Sequence, residues 1–590
     1  MASSTSSPPK LTMGQFFGFF FRILAPEASF YWLAIIYGVG ISLLSLATPI
    51  SVQMLINTVA NTALTAPLIL LSATLFGLLM ISGLLNALRV HLMELFGRRF
   101  YARMVAEIAL RSIYAQNPFF SDTSRSALFN RYFDIVVVQK SMPVLFIGGF
   151  TVILQAGVGF VLVSLYHPLF LVFNLVLVAL IWIIWLIWGA SAIRSAIDLS
   201  HAKHATAEWL ESLAASDGFF KSQKRIDYAL DRTDDQTCTY IQEHRKHFRR
   251  HFAQTLSFLT LYAAASAILL GLGGWLVIQG QLTLGQLVAA ELVLSVAFFG
   301  VSQLGTYLTY FYDLCAAAEE LSLFYAVEQE EPSGDDPVVR HDHTLAFHQV
   351  KGEARHQPAH LHLEIPSGAA VMASSSHHGV QRLFTNLLKR HTLPKGGYVT
   401  LGGVDLLDLD VHLLRQSIYV IDRSTVIGMT IRDYLNLSTE GNAAQATMQA
   451  LETVGLAHVV ASLKDGLDTH LASTGWPLSN AEVLQLKLAA ALVAEPRVLV
   501  LNQLFDLLPE DDLSAAIAVL RDQAETTVIY FSNRQVDLGF DTYLFLDSTE
   551  QRFYPSFEAF AEAANGHRGP APTARPLLIE GPAEPTVKEA

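Results

Sequence analysis

The chain has 590 residues, 52% of them hydrophobic and only 15% charged, against about 25% charged in a typical soluble domain. Its formal net charge of −13 argues against nucleic acid as a partner. Two cysteines, Cys238 and Cys315, exclude a disulfide framework and a Cys-based zinc site.

The chain opens on MASSTSSPPK, which is polar and predicts disorder. The apolar run Phe16 to Phe21 is short and lacks a clear small-residue cleavage site, so residues 1–24 read as a disordered terminus and an amphipathic helix lying on the membrane. Three long stretches then contain no Lys or Arg: Ile23 to Leu88, Ser141 to Ile193 and His251 to Val339. Each holds two apolar segments of the about 20 residues that cross a hydrocarbon core. Six membrane helices are predicted near 31–58, 66–95, 141–165, 168–190, 254–279 and 285–312. The intervening segments are basic, with Arg98, Arg99, Arg103, Arg111 and Arg131 in one and Lys203, Lys221, Lys224 and Arg225 in the other. The positive-inside rule places both segments and both termini in the cytoplasm. Few Pro or Gly interrupt them, so the membrane helices are expected to continue into the cytoplasm. Connectors are expected around Ser121 to Val138 and Ala214 to Lys224.

Gln53, Asn57, Asn86, Gln155, Glu291 and Gln303 fall inside the predicted spans. Polar groups at membrane depth mark a transport pathway, or hydrogen-bond between helices. Residues 25–325 make up this membrane domain. The acidic segment 326–340 reads as a linker, 341–565 as a second domain and the proline-bearing 566–590 as a disordered tail.

The second domain alternates strand and helix patterns, as an α/β domain does. Pro366 to Gly403 reads as a strand (Ala369 to Ala373), a loop, a helix (about Arg382 to Lys389), a Pro394-Lys395-Gly396-Gly397 turn and another strand. Downstream come SIYVIDRSTVIGMTIRDYL, then Leu478-Ser479-Asn480-Ala481-Glu482, then the strand Arg497 to Leu501 with Asn502-Gln503 behind it. Asn533-Arg534 follows the strand Thr527 to Phe531. These five segments, in this order behind six membrane helices, resemble an exporter-type ABC half-transporter. The fold implied is an all-α six-helix membrane domain followed by an α/β P-loop nucleotide-binding cassette. The resemblance runs over roughly residues 20–560.

The family's chemical residues are replaced throughout. In the register of G-x-x-x-x-G-K-[ST], Ser375 and Val380 stand for the glycines, Gln381 for the lysine and Arg382 for the hydroxyl. A β-branched valine disfavours the φ angles that a phosphate loop needs. Ser375 to His378 retain backbone N–H groups that face an anion in the family. Asp422 stands for the metal-coordinating glutamine. Ser479 is kept from L-S-G-G-Q, but Asn480, Ala481 and Glu482 replace the rest. A carboxylate ~4 Å from a phosphate costs about 4 kcal/mol at an effective dielectric of 20. Asn502 and Gln503 replace the Asp that helps to hold Mg²⁺ and the Glu that activates water. Asn533 replaces the switch histidine, and no Phe, Tyr or Trp lies between His348 and Pro366 to stack on adenine.

The resemblance therefore implies a cassette that keeps its scaffold without ATPase chemistry. No catalytic residue, metal or cofactor is expected, with weak residual ATP binding as the alternative. Gln381, holding no phosphate, is expected to tolerate alanine without loss of stability. His360-x-His362 and His377-His378 read as surface histidines. Three functional readings follow. One is a non-hydrolysing exporter subunit, paired in the bilayer with a second copy or with an ATPase-active half-transporter. The others are a membrane scaffold, receptor or regulator, and an active homodimeric exporter with atypical motifs. In each case the chain is a multi-pass protein of a bacterial inner membrane, with no nucleic-acid partner.

Overall fold

The computed structural model describes residues 18, 21–62, 65–116, 127–216, 218–330, 342–355, 357–438 and 444–567. The expected disordered termini and most of the linker lie outside them. Of the amphipathic segment before the first membrane helix, residues 21–24 are helical. The chain divides into two compact units, 1–330 and 331–590.

The first unit is all helix: α1 (Ala28–Leu44), α2 (Ala47–Thr62), α3 (Thr65–Ile113), α4 (Asp134–Val144), α5 (Phe150–Ser164), α6 (Pro168–Ala215), α7 (Gln223–Ile278) and α8 (Leu284–Ser322). A single π turn, Leu145–Gly149, joins α4 to α5. Among the described residues six segments are long and apolar enough to cross a membrane: Phe21–Ile56, Leu68–Ile113, Leu128–Ser164, Pro168–Ala215, Gln223–Ile278 and Leu284–Ala326. At 1.5 Å per residue, the 56 residues of α7 span about 84 Å, far beyond a ~30 Å hydrocarbon core. The long extensions expected from sequence are therefore present. The second connector falls where expected, between Ala215 and Gln223. The first ends earlier than expected, because α4 already begins at Asp134. Sequence signals set several ends. His167 accepts the Leu169 N–H with Pro168 in the first turn of α6, and Thr283 with Gln286 forms a reciprocal capping box at α8.

Ile69, Leu70, Phe76 and Leu84 of α3 face outward and exposed, which suits lipid contact rather than water. Inside, Tyr31 stacks on Phe146 at 5.1 Å, and Phe96 and Phe100 are fully buried.

The second unit carries β1 (Leu345–Ala354), β2 (Gln357–Ile365), β3 (Ala370–Ser375), β4 (Gly396–Leu401), β5 (Val404–Asp405), β6 (Ile418–Ile421), β7 (Val498–Leu501), β8 (Thr527–Phe531), β9 (Thr542–Leu546) and β10 (Gln551–Tyr554). Its helices are α9 (His378–Leu388), α10 (Val411–Ser417), α11 (Ile431–Asn436), α12 (Ala444–Thr453), α13 (Ala457–Ser462), α14 (Asn480–Ala494), α15 (Glu510–Ala524) and α16 (Phe557–His567). One sheet has the order β10-β9-β3-β8-β7-β6 and the other β2-β1-β4-β5. In the larger sheet β3, β6, β7, β8 and β9 are parallel and β10 is antiparallel. β7 is wholly apolar and buried, as a parallel strand covered on both faces must be. Leu499 and Leu501 join one core cluster, Val498 and Val500 the other, because alternate side chains leave a strand on opposite faces. Phe384 of α9 stacks on Phe347 of β1 at 4.8 Å and so packs that helix against the smaller sheet.

Candidate functional site

The helix after β3 begins at His378, not near Arg382 as the phosphate-loop register predicts. Only Ser376 and His377 separate strand from helix. With a single glycine in this stretch, Gly379, the chain turns straight into a helix. The Ser376 N–H, one of the amides expected to face an anion, donates to Leu546 O at 2.9 Å. Val380 is fully buried in the core beside Leu383 and Phe384. Arg382 is exposed.

Gln381 is only 2% exposed. Its Nε2 donates to Gln503 Oε1 at 3.0 Å, and Gln503 Nε2 donates back to Gln381 Oε1 at 2.8 Å. The residue at the lysine position and the residue at the water-activating glutamate position therefore satisfy each other. Two neutral amides can do this where Lys and Glu would form an ion pair. Beside them Asn502 Nδ2 donates to Asp422 O at 3.0 Å, and Asn502 Oδ1 accepts the Leu504 N–H at 3.1 Å. The Asp422 carboxylate is held by Lys389 Nζ at 2.5 Å. Burial lowers the pKa of Lys487, with Asp422 opposing the shift. Burial also pushes His391 down to about 3, helped by the Lys389 charge.

Ser479 caps α14 by accepting the Glu482 N–H at 3.3 Å. Glu482 Oε2 accepts the Ser479 N–H at 2.7 Å. The carboxylate expected to confront a phosphate is thus turned onto its own helix terminus. Asn480 is exposed and Ala481 half-buried. Asn533 is exposed, and its N–H donates to Asp506 Oδ2 at 3.0 Å. Asp506 also accepts from Tyr530 and Ser532, while Arg534 donates to the Phe505, Asp506 and Leu508 carbonyls. Asp506, which sequence reasoning passed over, and Arg534 of the Asn533-Arg534 pair clamp the segment after β7.

In the membrane unit Gln53 accepts from Tyr166 Oη at 3.0 Å. The Asn57 side chain lies outside the described residues. Gln155 and Gln303 are half-buried, and Glu291 Oε2 is buried without a hydrogen-bond partner among the described residues. Sequence reasoning missed Arg89, which it treated as the edge of a cation-free stretch. Arg89 is 2% exposed; it donates to Thr151 Oγ1 and, at 2.8 Å, to Asn86 Oδ1. A lone cation inside the predicted span 66–95 was the available signal.

Residues 31–301 match the family model of the ABC transporter transmembrane region. Residues 31–301 thus form an ABC transporter transmembrane region, and the chain has the fold of an ABC exporter. The chain is 25% identical over 291 residues to the uncharacterized ABC transporter ATP-binding protein YknU of Bacillus subtilis, covering 46% of the chain and 49% of that protein. It is 25% identical over 295 residues to the β-(1→2)glucan export ATP-binding/permease protein NdvA of Rhizobium etli, covering 48% and 50%. Against the leukotoxin translocation ATP-binding protein LktB of Mannheimia haemolytica the identity is 26% over 243 residues, covering 40% and 34%. The chain thus spans half or less of the length of these relatives. Its fold superposes on a bacterial Atm1-family ABC exporter with ATP bound at a TM-score of 0.78 and 17% identity, covering 91% of this chain and 97% of that one.

Proposed function

We propose that this chain is a half-transporter, the non-hydrolysing subunit of an ABC exporter-type assembly in the bilayer, working in efflux beside an ATPase-active partner. The observation that carries the reading is the Gln381–Gln503 amide pair. It puts neutral groups at both positions where ATP hydrolysis needs charge, and those groups are already bonded to each other. The Asp422–Lys389 pair similarly commits the carboxylate that would otherwise be offered to Mg²⁺. The cassette then acts through shape and contact. A cleft of about 610 Å³ lined by Tyr419, Tyr434, Leu437 and Val493 gives it a recess for such contact.

The test is ATP turnover by the full chain purified alone in nanodiscs. No hydrolysis above background is expected. Turnover near ~1 s⁻¹, the low end of ordinary enzyme rates, that Gln503→Ala abolishes would overturn the proposal.

A second reading, a membrane scaffold or regulator without transport, is favoured by the Ser479–Glu482 capping box. A partner's ATP would meet a helix terminus whose first amide already binds a carboxylate. If an ATPase-active chain that co-purifies with this one turns over equally fast without it, the scaffold reading replaces the first.

A further inference from the structure

Three helices of the membrane unit meet around a group of side chains that neither the cassette nor the predicted pathway uses. His201 and His204 are three residues apart on α6 and so project from the same face. Glu319 and Glu320 lie in the last turn of α8, and Asp134 opens α4. His201 Nε2 lies 2.9 Å from Glu319 Oε2 and 3.8 Å from Glu320 Oε1. His204 Nε2 lies 2.6 Å from Asp134 Oδ2 and 4.0 Å from Glu320 Oε1.

Two cations stand nearby, and each takes the other oxygen of its carboxylate. Arg131 Nε holds Glu320 Oε2 at 2.5 Å, and Lys203 Nζ holds Asp134 Oδ1 at 2.9 Å. Glu320 Oε1 and Asp134 Oδ2 are thereby left to the imidazoles. Glu320 is 0% exposed, yet its Oε1 has no hydrogen-bond partner among the described residues. A buried carboxylate oxygen without a donor is unfavourable, and 3.8 Å and 4.0 Å are too long for hydrogen bonds. Those separations approach the spacing of atoms that share a metal. Two ligands each ~2.0 Å from a tetrahedral ion sit ~3.3 Å apart. His201, Glu319 and Glu320 present one ligand atom each, all within 4.8 Å of one another.

We propose that His201, Glu319 and Glu320 bind a divalent transition-metal ion of the Zn²⁺ class. His204 stands next to the site as the fourth ligand once its bond to Asp134 is released. The imidazole nitrogen selects against Mg²⁺ and Ca²⁺, which take oxygen ligands. Three carboxylates face two fixed cations, so the local charge does not oppose a divalent ion. Bound there, the metal ties α6 to α8. The proposal is independent of the reading of the cassette.

The test uses the full chain, purified through a tag without histidines and stripped with chelator. Zn²⁺ titrated by calorimetry is expected to bind at one equivalent per chain, with Mg²⁺ failing to compete. Co²⁺ in its place is expected to give the intense visible bands of a low-coordinate site. Glu319→Gln and His201→Asn are each expected to weaken Zn²⁺ binding by about tenfold or more. His360→Ala, on the cassette surface, is expected to leave it unchanged. Glu319→Gln preserves shape, so it reads the site even if His201→Asn fails to fold. Loss of the equivalent from wild type, its survival in a folded Glu319→Gln chain, or equal competition by Mg²⁺ would each overturn the proposal and leave a dry ion-pair network between helices.

Discussion

Gln381 and Gln503, 122 positions apart, join their side-chain amides head to tail by two hydrogen bonds of 3.0 and 2.8 Å. The pair couples the start of α9 to the end of β7. It gives Gln381 a structural duty that its place in the phosphate-loop register does not suggest.

The expectation that alanine is tolerated at 381 is therefore corrected. Gln381→Ala removes both bonds and leaves the Gln503 amide unpaired in a mostly buried position, a loss of about 1–3 kcal/mol. Gln503→Ala is expected to cost a similar amount, and the double variant less than the sum of the two. Thermal or denaturant unfolding of the three variants reads this directly. Strict additivity would mean that the pair is not formed in solution.

Glu482 should behave as a capping residue. Glu482→Ala is expected to lower stability by about 0.5–2 kcal/mol, while Glu482→Gln, which keeps the reciprocal cap, should cost much less. Equal losses for the two variants would show that charge, not capping, is what the position supplies.

His391 should make the cassette acid-sensitive. In the folded state burial and the neighbouring Lys389 hold its pKa at about 3, below the ~6.5 of the unfolded chain. Only the unfolded state takes up a proton as the pH drops below ~6.5, so stability is full above that value and declines toward pH 3. Between pH 7 and pH 5 the limit is about 2 kcal/mol. Partial solvent screening reduces it to about 1 kcal/mol. Melting at the two pH values is the measurement, and His391→Gln is expected to lose less stability than wild type.

Topology is open to chemical labelling. The exposed Cys238 is first replaced by serine. Gln281→Cys, in the turn between α7 and α8, should then react with an impermeant maleimide from outside, and Ser216→Cys, between α6 and α7, should not. Labelling of position 216 from outside would invert the orientation argued from Lys and Arg.

Much of the architecture was legible in the sequence because it rests on local properties. Cation-free apolar runs gave six membrane helices, since hydrocarbon excludes charge wherever the helices later pack. The apolar run Val498 to Leu501 read as a strand, and it is one. The boundaries that failed, the start of α9 and the start of α4, are places where a few residues choose between loop and helix according to what they pack against. The partnerships were not legible. Sequence identified Gln381, Gln503 and Glu482 as replacements for charged or close-packed family residues. Only the tertiary structure decided that two of them bond each other and that the third turns onto its own helix terminus. The same holds for His201 and Glu319, which are 118 positions apart and belong to no sequence motif. Secondary structure follows from short-range periodicity, but a polar side chain takes its role from the donors and acceptors that folding carries to it.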